Sequence, residues 1–436
     1  MLINVYKKIL LMLCYVLSPV YLFCTLIICF SGRFFSLGKG ERLVWGFDPI
    51  INNYYWSKAM QQKGFQSQTM TRDYFSSINS RADWDRIIKE EYKFLPEYLK
   101  PFLVFWESLF KYDIFFISFN GFVLGNTPLW FCEAFLLRLA GKKVVVIPYG
   151  SDSYVYRLIR SPSQIHGMMM SYPEAARKQK EILQRVDYWC EHGDFIIPSL
   201  MGPDGFGRWD VLLPTSLSLD LEQWLPSRRI QQSDGKNIPI HIVHAPNHRG
   251  IKGTEFIFQA IEELEREGFK IKLIVLEKMQ NSEVREILYK DCDILVDQLV
   301  LTGHGLNALE GMASGVPVIA NLEDSEFLLP YRRWSYFSEN PVVSASPENI
   351  TDVLRKLIVS PDLRRKLGSA GRKYVEKFQG LESSQFLFGA VIDYLNGRRD
   401  SIINLYHPIL GDYPYKDLDV GNPLKDNCII DQVEVS

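Results

Sequence analysis

Short, wholly apolar runs recur along this chain, and the stretches between them carry helical periodicity that closes on glycine. Ile114-Phe-Phe-Ile117 is followed by a helical pattern over 129–139 ending at Gly141, and then by the run from Lys143 to Pro148. Residues that are apolar on both alternating faces suit buried strands, and strand, helix, strand at this spacing is a βαβ unit with a parallel sheet. The second half repeats the rhythm. Runs at 240–244, 270–276, 293–296 and 316–320 alternate with helices from Thr254 to Gly268, over 281–290, and from Leu306 to a glycine stop at Gly315. In the helix after Thr254, Ile257, Ala260, Ile261 and Leu264 share one face, as a helix resting on a sheet requires. The expected fold class is α/β, with two Rossmann-like parallel-sheet domains facing a cleft. Ligands of such sheets sit outside the carboxyl ends of the strands.

The 436 residues are enough for two domains. Before Ile114, a strand is expected over 42–46, a helix ending near Gly64, and helical structure over 71–111. After Pro148, a helix is expected over 173–190 and a strand over 195–198. The polar stretch Pro226-Ser-Arg-Arg, followed by Gln-Gln-Ser-Asp-Gly-Lys, breaks the periodicity at mid-chain. The expected divisions are an N-terminal segment 1–40, a first domain 41–225, a linker 226–239, a second domain 240–380, and a C-terminal helix and tail 381–436 returning toward the first domain. The tail is interrupted by Pro408, Pro414 and Pro423 and is read as irregular.

Residues 9–30 carry no charge, with Lys7 and Lys8 before them and Arg33, Lys39 and Arg42 after. That length suits a helix crossing a bilayer, so the expectation is a retained membrane anchor, spanning or re-entrant, with a buried core helix as the other reading. Cys29-Phe-Ser-Gly-Arg33 does not supply the small-residue exit of a cleaved signal peptide. The seven cysteines are scattered, none forms C-x-x-C, and their number is odd, which excludes a disulfide framework and suits a reducing, cytoplasmic compartment. A net charge of −2 gives no footing for nucleic-acid binding.

Two loops carry chemistry. His244-Ala-Pro-Asn-His248-Arg249-Gly-Ile-Lys252-Gly253-Thr254 leaves a strand and enters a helix. Its cations, its glycines and the amides of a helix start can hold a diphosphate, though solvated cations around a turn glycine give the same pattern. No carboxylate joins His244 and His248 to make a metal set. The second loop runs Asp297-Gln-Leu-Val-Leu-Thr302-Gly-His304-Gly305-Leu306 and opens the helix that bears Glu310. Amides near Gly305 and Leu306 suit an anion, and a carboxylate one turn inside suits the two hydroxyls of a ribose.

The stretch Gly303-His-Gly-Leu-Asn-Ala-Leu-Glu310-Gly-Met-Ala-Ser-Gly-Val-Pro-Val318 resembles the signature helix of GT-B glycosyltransferases of the family 4 (group 1) type. Arg249, Lys252 and Gly253 match that family's earlier loop. Lys142 to Asp152, ending Tyr149-Gly150-Ser151-Asp152, resembles its first-domain strand, and Pro361 to Val375 its closing helices. The resemblance implies a donor site made by His248, Arg249, Lys252, Gly253, Gly305, Leu306 and Glu310. It places Asp152 and His304 at the chemistry and Gly150 and Ser151 on the acceptor side. The implied substrate is a UDP- or GDP-sugar, without metal or other cofactor and with retained configuration. The acceptor would be a glycan or lipid-linked precursor of a cell-surface polysaccharide, handled on the cytoplasmic side of the inner membrane. Two positions depart from the family: Thr302 stands where a second glutamate is frequent, and Tyr149 where a histidine is. A nucleotide-sugar epimerase of the same fold and a noncatalytic scaffold are the alternative readings.

Overall fold

The computed structural model describes residues 2–35, 41–76, 79–198, 205–229 and 233–430; in the first helix it describes the side chains of 12, 13, 16, 18–31 and 33. Residues 1 and 36–40 of the expected anchor, 230–232 of the expected linker and 431–436 of the tail lie outside the described residues.

Two all-parallel sheets form the frame. The first has six strands, β1 (Arg42–Trp45), β2 (Gln66–Thr71), β3 (Arg86–Ile87), β4 (Ile114–Ile117), β5 (Lys143–Val146) and β6 (Phe195–Ile196), ordered β3-β2-β1-β4-β5-β6. The second has five, β7 (Ile240–His244), β8 (Ile271–Val275), β9 (Ile294–Gln298), β10 (Val318–Ala320) and β11 (Val343–Ser344), ordered β11-β10-β9-β7-β8. Every pairing is parallel. In both sheets the first strand in sequence lies inside, and the chain reverses direction across the sheet beside it. Crevices for ligands form at such switch points. The central strands are buried on both faces, which is why β4 reads Ile-Phe-Phe-Ile and β9 Ile-Leu-Val before its polar end.

Several expectations over 66–192 change. Residues 71–111, read as helical, contain the end of β2, the short strand β3 and only one long helix, Lys100–Lys111. The strand β2, Gln-Ser-Gln-Thr-Met-Thr, is too polar to announce itself. Its inward groups are satisfied by Trp45 Nε1 donating to the Ser67 hydroxyl (2.8 Å) and by Asp85, whose carboxylate accepts from the Thr69 amide (2.7 Å). The helix expected over 173–190 is broken at Lys178 into Pro173–Arg177 and Gln179–His192.

The N-terminal run forms a helix, α1 (Leu2–Phe35), but among the described residues no helix is long and apolar enough to cross a membrane. α1 is fastened to the first domain along one face. Tyr21 stacks on Trp106 with ring centroids 5.1 Å apart, Trp106 Nε1 donates to the Thr25 hydroxyl (2.7 Å), and the Cys29 thiol donates to the Leu136 carbonyl (3.3 Å). The expected anchor, spanning or re-entrant, is therefore corrected to a helix held on the protein through Tyr21, Thr25 and Cys29.

After the second sheet, helix Leu381–Leu395 returns to the first domain, where Phe388 packs edge-on to Trp45 and Phe116. The irregular tail then crosses the second domain. Tyr413 stacks on Phe378 at 5.3 Å, and Asn427 Nδ2 donates to the carbonyls of Asn340 (2.7 Å) and Val342 (3.1 Å).

Candidate active site

The carboxyl ends of the two sheets face each other across a cavity of about 840 Å³. The volume suits a ligand of nucleotide-sugar size rather than a single ion.

On the second-domain wall, the end of β7 leads into a one-turn helix, Arg249–Lys252, and then into helix Thr254–Arg266. Gly253 joins them at φ 70°, and a Cβ there would lie 2.9 Å from the Leu299 Cβ, so both conformation and space call for glycine. The His244 ring is spent inside: Nδ1 bonds the Val296 carbonyl (2.8 Å) and Nε2 the Thr254 hydroxyl (2.9 Å), tying strand to helix. Burial pushes that imidazole down to about 4.

Lys252 is buried, and its Nζ donates to Asp297 Oδ1 (2.5 Å) and Gln298 Oε1 (3.0 Å). The other carboxylate oxygen of Asp297 accepts the Gly305 amide (2.9 Å). Burial raises the Asp297 carboxyl, but the Lys252 ammonium and the Gly305 amide outweigh it and hold the group below the usual carboxylate range. Lys252, Gln298 and Gly305 line the cavity, while Asp297 lies behind them, wholly buried. One carboxylate thus fixes both the cation and the helix start that present themselves to a ligand.

Glu310 sits in helix Leu306–Ala313, whose Gly311 lets it lie close on the sheet: a Cβ there would be 2.5 Å from Leu295 Cδ2. Its carboxyl lines the cavity, is 5% exposed, and accepts from Asn281 Nδ2 (2.6 Å). Burial pushes it up to about 8, with the Asn281 bond working against that.

On the first-domain wall, the loop after β1 brings Asp48 to the cavity. Its Oδ2 accepts from the Ser118 hydroxyl (2.5 Å) and from Asn120 Nδ2 (3.2 Å), which also donates to the Tyr149 hydroxyl (3.0 Å). Burial raises the Asp48 carboxyl despite those bonds. Asp152 accepts three amides, from Phe119 (3.1 Å), Tyr149 (3.0 Å) and Gly150 (3.0 Å), and burial followed by repulsion from Asp48 lifts it to about 7.

Of the residues singled out in sequence, His248, Lys252, Gly305, Leu306, Glu310 and Ser151 line the cavity. His248 is half-buried against Tyr172, ring centroids 4.3 Å apart. Gly253 works one step back, as the hinge. Gly150, at φ 128°, turns the loop that presents Tyr149 and Ser151.

Arg249, Asp152 and His304 do not line the cavity. Arg249 is exposed at the rim, where Glu277 (2.9 Å) and Glu255 (3.3 Å) hold its guanidinium. Asp152 is turned inward by its three amides. His304 is buried behind the Gly305 loop, with Nε2 accepting from Asn340 Nδ2 (2.9 Å), and burial pushes it down to about 4. Thr302 is likewise buried, whereas Tyr149 lines the cavity.

Sequence reasoning passed over Asp48, Asn281 and the role of Asp297. Asp48 had a usable signal, since it follows a strand in a parallel sheet, where sites form.

No family model matches the chain, and no curated protein matches it. Solved structures do. Sucrose-phosphate synthase from Thermosynechococcus elongatus superposes with a TM-score of 0.53 at 13% identity, covering 83% of this chain and 100% of that one. Anabaena HepE in complex with UDP-glucose gives 0.53 at 11% identity, over 81% and 99%. The same protein with UDP gives 0.51 at 12%, over 81% and 100%. At such identities the likeness speaks for the fold: the chain is built on the two-domain GT-B glycosyltransferase fold that its own motifs resemble.

Proposed function

We propose that this protein is a glycosyltransferase that moves a sugar from a UDP- or GDP-activated donor to a glycan or lipid-linked acceptor of a cell-surface polysaccharide. The reading places the reaction at the cytoplasmic face of the inner membrane, with retained configuration and no metal. The observation that carries it is the second-domain wall, where Lys252, the start of helix Leu306–Ala313 and Glu310 line one cavity, a cation and a helix start suited to a diphosphate and a carboxyl suited to ribose hydroxyls. The UDP-glucose and UDP complexes of HepE, a protein of the same fold, support a nucleotide-sugar ligand.

In this reading Lys252 and the start of helix Leu306–Ala313 stabilise the departing nucleoside diphosphate, where negative charge grows as the sugar leaves. Glu310 exchanges Asn281 for the ribose hydroxyls and ionises as it does so. Asp48 faces the same cavity from the other domain and accepts from the acceptor hydroxyl. That oxygen bonds the anomeric carbon from the face that the diphosphate leaves, as retention requires, the bond to the diphosphate breaks, and the hydroxyl proton passes to Asp48. Asp152 and His304 serve as positioning residues, the first setting the loop of Tyr149 to Ser151 and the second backing the Gly305 loop. Arg249 guards the rim.

Incubating purified protein with UDP- and GDP-sugars, with and without glycan acceptors, tests the reading. Transfer to an acceptor is expected. Conversion of donor to an epimer without acceptor, or binding without turnover across acceptors, would overturn it.

A further inference from the structure

Among the described side chains of α1, the face that does not touch the protein is apolar from Met12 to Ile27. Met12, Val16, Val20, Phe23 and Ile27 follow one another at helical spacing and are 68%, 65%, 65%, 66% and 56% exposed. Tyr21, Thr25 and Cys29 on the opposite face are buried against helices Lys100–Lys111 and Glu133–Leu139. The adjoining helix Glu133–Leu139 extends the apolar surface with Phe135, and the turn before it with Phe131, 58% and 56% exposed. A surface of this extent on one side of a soluble fold marks an interaction site rather than scattered exposure.

Charge chooses the partner. Residues 1–40 contain Lys7, Lys8, Arg33 and Lys39 and no acidic residue, so cations bracket the stripe at both ends. Two copies packed on this face would bring like charges together in either orientation. An anionic lipid surface meets both features at once, with acyl chains for the stripe and headgroups for the cations. Spanning is opposed by the fastened face, since Thr25 and Trp106 tie the middle of α1 to the domain.

We propose that α1 is an in-plane membrane-docking helix, about 50 Å long, that lays the first domain on an anionic bilayer with the Met12 to Ile27 stripe among the acyl chains. This deepens the reading of a membrane-side acceptor and rests on it for its purpose, but vesicle binding needs no donor and no turnover, so the two can fail separately.

The test is sedimentation of the full chain with phosphatidylcholine vesicles, with and without phosphatidylglycerol. The wild type is expected to bind when phosphatidylglycerol is present and to be released by alkaline carbonate. Val20→Ser/Phe23→Ser/Ile27→Ser is expected to bind about tenfold or more weakly, with unchanged thermal melting and donor binding. Lys7→Glu/Lys8→Glu, which leaves the stripe intact, is expected to lose the dependence on phosphatidylglycerol. Equal vesicle binding by the triple variant overturns the proposal. So does a wild type that resists carbonate as a spanning helix does, or one that forms a dimer which the triple variant dissolves without any vesicle binding.

Discussion

The two walls of the cleft handle buried carboxylates in opposite ways. On the first-domain wall Asp48 and Asp152 are met by hydroxyl and amide donors with no cation in contact, and burial wins: both are raised. On the second-domain wall Asp297 has Lys252 at 2.5 Å and is held low. A carboxyl raised by burial holds a proton more readily and can exchange it, whereas one locked in an ion pair orients its partners. On the proposed reading, proton handling and hydroxyl recognition belong to the first wall and anion recognition to the second. Glu310 is the exception on its wall: burial pushes its carboxyl up to about 8 although Asn281 donates to it.

The largest effect is expected at Asp48. Asp48→Asn keeps the bulk of the side chain but cannot take a proton. It is expected to lower kcat for transfer by roughly 100-fold or more while leaving donor affinity unchanged by calorimetry. An equal loss of donor affinity would put Asp48 on the donor side.

Lys252→Ala strands the buried Asp297 charge. Chemical denaturation near neutral pH is expected to show a loss of about 3–5 kcal/mol, together with failure to bind donor. Asp297→Asn/Lys252→Met, which removes both charges, is expected to recover most of the stability but none of the binding.

Glu310→Gln tests the exception. Donor affinity is expected to fall by roughly 10- to 100-fold, the worth of hydrogen bonds to a charged group. In the wild type donor affinity is expected to rise with pH up to about 8 and then level off, because only the ionised carboxylate accepts both hydroxyls. The stability of the free protein runs the other way. A carboxyl raised on folding stabilises the fold below its unfolded value, and that contribution is lost as pH climbs toward about 8. Wild-type melting should therefore decline relative to Glu310→Gln over that range.

The smallest effect belongs to Arg249→Ala. An exposed side chain paired with Glu277 and Glu255 at the rim is expected to change donor affinity by no more than a few-fold. A larger loss of donor affinity would mean that the guanidinium leaves Glu277 to reach the ligand.

The second domain was the more legible in sequence because its strands are apolar and two of its helices, Thr254–Arg266 and Leu306–Ala313, are followed by the positive-φ glycines Gly268 and Gly315. The positions of Lys252, Gly305 and Glu310 followed from two strand-to-helix loops. What stayed hidden depended on contacts between distant segments. The burial of β2 rests on Ser67 and Thr69 finding polar partners, which no hydrophobic pattern reveals. The neutralisation of Lys252 by Asp297 joins the one-turn helix after β7 to the end of β9, and the inward turn of His304 depends on Asn340. The uncharged run over 9–30 indicated an apolar environment but not that one face would be supplied by the protein. Tyr21, Thr25 and Cys29 look like parts of a lipid-facing helix until Trp106 and Leu136 are set against them.

The most direct test is calorimetric titration of wild type and Glu310→Gln with UDP- and GDP-sugars, free of metal, between pH 6 and pH 9, values chosen to bracket the carboxyl at about 8. One donor is expected to bind the wild type, more tightly at the higher pH, and the variant is expected to bind it weakly with no pH dependence. Equal affinity and equal pH dependence in the two proteins, or no binding of any donor, would contradict the proposed donor site.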